Sequence, residues 1–258
     1  MTSEQTMLTR FARAAMIALG LAAAGCASEP ALTPPQGLAS PYDTVTGEVL
    51  WAVAPFRNES GTTLLDADDI SDKVVAAAAQ VRGVRALPLN RTLHAMRALN
   101  MTGIGSPADA KRLAQEMGVD GLILGSITAY DPYDPPKLGL ALALYARPGS
   151  MNRRGERPLD PRTLSSQPTD YNPFPRSTYT DAPTSAVSEF LDGKNHQVQM
   201  DLRHYAAGRH EPDSAMGWKR YLASMDLFSE FAAWHAVGRL LDREWLRLAR
   251  VTPDEGGG

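Results

Sequence analysis

A chain of 258 residues with 43% hydrophobic residues can build a sizeable core, as one large domain or two small ones, so wholesale disorder is excluded. Its 26 Lys+Arg against 29 Asp+Glu give a formal net charge of -3, which leaves no basic excess for a phosphate backbone, and no nucleic-acid partner is expected. The single cysteine excludes an intrachain disulfide and a Cys-rich zinc site.

In chain order, Arg10 and Arg13 precede an uncharged run from Ala14 to Ala24, followed by Gly25 and Cys26. A helix rising ~1.5 Å per residue over that run reaches only about half of the ~30 Å hydrocarbon layer, so a secretory signal is the better reading than a permanent span. Leu21-Ala-Ala-Ala-Gly-Cys26 resembles a bacterial lipobox, although Ala23 stands where leucine is commonest. The resemblance implies that the thiol of Cys26 is acylated and the chain cut before it. It also implies, through Ala27, an outer-membrane anchor with the body facing the periplasm. More than one acyl chain, at about 0.8 kcal/mol per buried CH₂, suffices for stable anchoring. Residues 1–25 are then a lipoprotein signal peptide. Residues 26–44, with four prolines and no apolar pattern, read as a tether.

Residues 45–250 read as one α/β domain. Glu48 to Phe56 is nearly continuous in apolar residues, as a central strand covered on both faces would be. Ile70, Val74, Ala78 and Val81 recur at helical spacing behind Asp66, Asp68 and Asp69, whose charges suit a helix start, and Gly83 stops that helix. Val84 to Pro88 reads as a short strand, and Asn90 as the cap of a helix carrying Leu93, Met96 and Leu99. Ser106, Pro107 and Asp109 have the spacing of a capping box, and Gly118 follows the last turn of the helix they start.

Asp120 to Tyr130 is then a strand. Leu138, Leu140, Leu142 and Leu144 alternate with small residues in another, so the two predict an antiparallel hairpin whose small-residue face admits a close helix. Residues 148–184 hold seven prolines, five arginines and neither valine nor isoleucine, which predicts a disordered insertion. Ala186 to Leu191 reads as a returning strand and His196 to Ala207 as a helix. The last helix carries Leu227, Phe231, Trp234, Gly238, Leu241, Trp245 and Leu248 on one stripe, and residues 251–258 are a disordered tail. The expected fold is a mixed α/β layer, mostly parallel with an antiparallel hairpin, covered by helices and closed by a long carboxy-terminal one.

Val53-Ala-Pro-Phe-Arg-Asn-Glu-Ser-Gly61 and the run from Ala108 to Ile127 sit at the joints of this order. Together, behind a lipobox, they resemble an envelope-protein superfamily. It includes the curli secretion channel subunit, the outer-membrane lipoprotein that activates a penicillin-binding protein, and the amino-terminal domain of TolB. The resemblance covers about residues 47–147. It implies a protein that binds other proteins or assembles, with no shared catalytic residues.

Arg57 to Gly61 lacks the glycines of a phosphate loop, and Ser60 and Ser126 lack a nucleophile elbow. His204 and His210-Glu211 have a spacing that does not put both imidazoles on one helical face. No cofactor, no metal and no enzymatic activity are expected. The candidate contact is the hairpin tip, Tyr130, Asp131, Pro132, Tyr133, Asp134, Pro135 and Pro136, rigid and partly apolar, with packing of the two tyrosines over the sheet end as the alternative. The expected role is contact with an unidentified envelope protein or with copies of itself. An oligomeric pore is disfavoured because the 148–184 insertion has no alternating strands, and an envelope hydrolase because no catalytic grouping is visible.

Overall fold

The computed structural model describes residues 35–42, 47–147, 151, 182–210 and 214–250. Cys26, the signal segment, most of the 148–184 insertion, Glu211 and the 251–258 tail lie outside the described residues.

The core sheet is built from β2 (Val49–Val53), β3 (Arg57–Asn58), β5 (Val84–Ala86), β6 (Gly121–Asp131), β7 (Lys137–Ala146) and β8 (Ser185–Asp192), in the order β5-β2-β6-β7-β8 with β3 beside β6. β2 pairs in parallel with β5 and β6, which makes it the interior strand that its unbroken apolar run predicts. β6, β7 and β8 pair antiparallel. The sheet is therefore mixed, and its antiparallel part extends beyond a hairpin to a third strand. A separate short pair joins β1 (Leu38–Ala39) to β4 (Val81–Arg82).

One face of the sheet carries Trp51, Val53, Ile123, Ile127 and the four leucines of β7, all buried. It is covered by α1 (Ala67–Ala79) and α6 (Met225–Arg250), with α4 (His196–Ala206) and the single turn α5 (Arg220–Ala223) packed around them. Burial of α6 side chains such as Phe228, Phe231, Leu240 and Leu241 contributes about 1.5–3 kcal/mol each. The other face carries Ala52, Leu122 and Tyr145 and is covered only in part, by α2 (Leu89–Ala98) and α3 (Pro107–Met117).

Local chemistry explains most boundaries. Ser106 caps α3 by accepting from the Asp109 N–H at 3.2 Å, and its hydroxyl donates to Asp109 Oδ2 at 2.9 Å. Gly118 ends the helix at φ 64. Asp66 caps α1, accepting from the Asp68 N–H. Gly121 and Gly125 of β6 leave room for aromatic rings, since a Cβ would come within 2.8 Å of Trp51 and 2.4 Å of Phe56.

Four expectations are corrected. Val81 leaves the α1 stripe and pairs with Leu38 in β4, because the helix already ends at Gln80. Asn90 lies inside α2, whose cap position is held by Pro88 without a side-chain bond. The small residues of β7 do not receive a helix among the described residues. The leucine face does, and alanines 232, 233 and 236 of α6 give the close approach. The buried stripe of α6 runs through Phe228, Phe231, Ala236, Val237, Leu240 and Leu241, while Trp245 is 47% exposed.

The described part of the 26–44 tether is not free either. Tyr42 is 1% exposed, its ring meets Trp51 edge-on at 6.0 Å, and its hydroxyl donates to Glu244 Oε2 at 2.9 Å. Glu244, fully buried, also accepts from Ser185 Oγ and forms a two-pronged pair with Arg247 at 2.7 and 2.9 Å. A phenol and a carboxylate can both be buried here because each completes the other's bonding. Burial, and then the nearby Glu244 charge, hold the Tyr42 phenol well above its ordinary range.

Candidate functional site

The β6–β7 turn places the predicted tip residues at the carboxyl end of β6. Asp131 Oδ1 accepts from the Tyr133 N–H at 3.3 Å, Asp131 Oδ2 pairs with Lys137 Nζ at 3.4 Å, and Pro136 O accepts from the Gly193 N–H at 2.9 Å. The first two bonds fix the turn from within, the third ties it to the residue after β8, and Tyr133 projects, 73% exposed. Tyr130 is half-buried against the core, and Pro136 is buried. The two tyrosines therefore divide the roles that the sequence left open: Tyr130 packs over the sheet end and Tyr133 faces solvent. Burial raises the Tyr130 phenol above its ordinary value, with the Asp69 charge adding to it.

The bare part of the second sheet face forms a groove of about 910 Å³. Its floor is Ser126, Ala141, Ala143, Ala186 and Ser188, and its wall is Leu93 and Met96 of α2 with Met101 and Ile104 beyond it. The floor residues are the small members of strands whose large members point into the opposite core. At the rim stand Arg57 and Glu59, 3.9 Å apart, with Asp68, Arg97 and Arg243. Among its described lining residues there is no histidine. Such a surface can take up an apolar segment, and among its described lining residues no hydroxyl stands at bonding distance from a base. Sequence reasoning marked the small residues of β7 but not their use, because which face a helix covers depends on strand order and not on local pattern.

A smaller, polar cleft of about 490 Å³ lies between α4 and α6, lined by Gln197, Asp201, His204, His235, Arg239 and Glu189. Glu189 is held there by His235 Nε2 at 3.5 Å and Arg239 Nε at 3.4 Å. His204 thus faces this cleft, whereas His210 turns back to Ala206 O at 2.7 Å. Among the described residues no group of His, Cys, Asp and Glu could hold a metal ion. No helix of the described residues is long and apolar enough to cross a membrane. Asp69 and Asp226 bracket Lys73 at 2.6 and 2.7 Å, tying α1 to α6. Burial alone would lower the Lys73 ammonium, and the hydrogen bonds to Asp226 and Asp69 outweigh it and raise it.

No protein-family model matches the sequence, and no curated protein does. Solved structures similar to it include the LpoB C-terminal domain from Salmonella enterica, at 17% identity and a TM-score of 0.31, covering 43% of this chain and 76% of that one. The lipoprotein GNA1162 from Neisseria meningitidis aligns at 13% identity and a TM-score of 0.35 over 59% of this chain and 91% of its own. The PelC dodecamer from Paraburkholderia phytofirmans aligns at 12% identity and a TM-score of 0.32 over 82% and 92%.

Proposed function

We propose that this chain is a non-enzymatic envelope lipoprotein, anchored in the outer membrane through acylated Cys26 and facing the periplasm, that works by binding another envelope protein. The anchor rests on the lipobox-like segment ending at Cys26. The contact rests on one observation, the apolar groove floored by Ser126, Ala141 and Ser188, which has the size and lining of a site for an apolar segment of a partner. The tip residues Tyr130, Asp131, Pro132, Tyr133, Asp134, Pro135 and Pro136 lie beyond the point where Arg57 and Asn58 pair with Ser126 and Ile127 of β6, outside the groove lining, and Tyr133 would supply a second contact there. A tyrosine has only two side-chain torsions to fix, so it loses little freedom on docking.

Crosslinking in the native envelope, followed by mass spectrometry, tests the reading. The wild-type chain should give one dominant heterologous crosslink, with lipid mass on Cys26. Ala141→Arg, which fills the groove, should lose that crosslink, and Tyr133→Ser should weaken it at unchanged thermal stability. An undiminished crosslink in both folded variants refutes the contact. Intact chain in the cytosol with residues 1–25 attached and no lipid refutes the anchor.

A further inference from the structure

The two edges of the sheet differ. β5 ends one side with three residues, too short to template another strand, while β8 ends the other with eight. Natural edges are blunted by proline, lysine, bulges, inward-pointing charge or shortness; from Ala186 to Leu191 β8 has only one of these, Glu189 on the helix-covered face, whose charge is held by His235 and Arg239.

The bonding pattern says which groups are free. Gly193 N–H donates to Pro136 O at 2.9 Å, so 193 and 136 form a bonded pair, and in an antiparallel ladder bonded pairs recur at every second residue. Leu191, Glu189, Val187 and Ser185 therefore bond inward to β7. The other side of β7 agrees: Arg147 N–H donates to Asp120 O, so the odd residues of β7 bond β6 and its even residues bond β8. The N–H and C=O groups of Ala186, Ser188 and Phe190 point out of the sheet, and no partner for them occurs among the described residues. Between them projects Phe190, 60% exposed.

We infer that a second copy of this chain pairs with β8 through its own β8, antiparallel about a twofold axis at Ser188. In this register Ser188 bonds its counterpart, and Ala186 bonds Phe190 of the second copy, so each exposed ring lies over the smallest side chain of the strand. On the other face Glu189 meets Val187 of the second copy, and its charge is already held by His235 and Arg239. Asp192 falls opposite Thr184. No like charges of the two strands fall directly opposite each other; the two Glu189 are diagonal neighbours, each held by its own His235 and Arg239, and Arg243, which lines the groove with Ala186 and Ser188, lies near the axis in both copies. Moving the axis one pair toward the carboxyl end sets Glu189 against Glu189, which destabilises that register. Moving it the other way takes Phe190 past the start of the strand. The pairing is isologous and closes at two copies, and it shares Ala186 and Ser188 with the floor of the groove, so the oligomeric state is read on the isolated chain, away from any other envelope protein.

Ser188→Cys tests the axis. Opposed residues of a bonded pair have Cα atoms about 5.5 Å apart, within disulfide reach. Mild oxidation should give a covalent homodimer, both in the whole chain and with Cys26→Ser, which leaves a single thiol. Asp192→Cys, displaced from the axis by four residues on each copy, should give none. Ser188→Pro removes an outward N–H, and proline is tolerated on an edge strand with that N–H to solvent. It should weaken dimerisation at least tenfold in sedimentation while leaving the circular dichroism spectrum unchanged, and Phe190→Asp should do the same. A monomeric wild type at tens of micromolar, no disulfide in the Ser188→Cys variant, or equal crosslinking of both cysteine variants overturns the inference. So does a dimer that survives the folded Phe190→Asp variant, since partner and copy must then meet elsewhere.

Discussion

Removing the Tyr42 hydroxyl probes how firmly the amino-terminal stretch is tied to the last helix. Tyr42→Phe keeps the ring against Trp51 and deletes one buried bond to the Glu244 carboxylate, 2.9 Å long. A hydrogen bond to a charged group contributes about 1.5–3 kcal/mol. At roughly 2–4 °C per kcal/mol for a domain of this size, the melting temperature should fall by about 3–12 °C. Glu244→Ala strips the partner from Tyr42, Ser185 and Arg247 together and should cost about 3–5 kcal/mol. The assay is urea unfolding followed by tryptophan fluorescence, with both variants and their double mutant. If the bond is the cause, Tyr42→Phe should cost little in the Glu244→Ala background, giving a coupling of about 1 kcal/mol or more. Additive losses, or a single-mutant effect below about 0.5 kcal/mol, refute the reasoning.

Alkaline conditions should destabilise the fold. Burial pushes the Tyr205 phenol up to about 12, whereas the unfolded chain loses that proton near 10, so the stabilisation is whole below pH 10 and drains away toward pH 12. Urea midpoints of the wild type should fall over that window more steeply than those of Tyr205→Phe. Gly125→Val puts a Cβ into the Phe56 ring and should cost about 1–3 kcal/mol by calorimetry. Lys73→Met should cost no more than about 1 kcal/mol in urea unfolding, because both its carboxylate partners are more than half exposed.

Features that live in a few neighbouring residues were legible from the sequence: the capping box at Ser106, the leucine alternation of β7, the interior character of β2. What was not legible depends on partners far along the chain. Glu244 reads as an ordinary solvent-facing charge until Tyr42, 202 residues away, is laid against it. Val81 fits a helical period as well as it fits a strand, and only Leu38 decides the matter. The tip was found as a turn, but whether Tyr130 or Tyr133 would face solvent was set by α1 and α6, whose placement no local period reveals. The groove and the open edge of β8 are consequences of strand order. Two sequences with identical β7 and β8 patterns would bury or expose those same residues according to where the strands fall.

The pairing of Leu38 with Val81 also fixes a length. If Cys26 sits in the bilayer as proposed, only the dozen residues up to Leu38 separate lipid from globule, and a fully stretched chain gains at most ~3.6 Å per residue. The body then hovers no more than roughly 40 Å above its own leaflet, so any protein it meets must come down to that height.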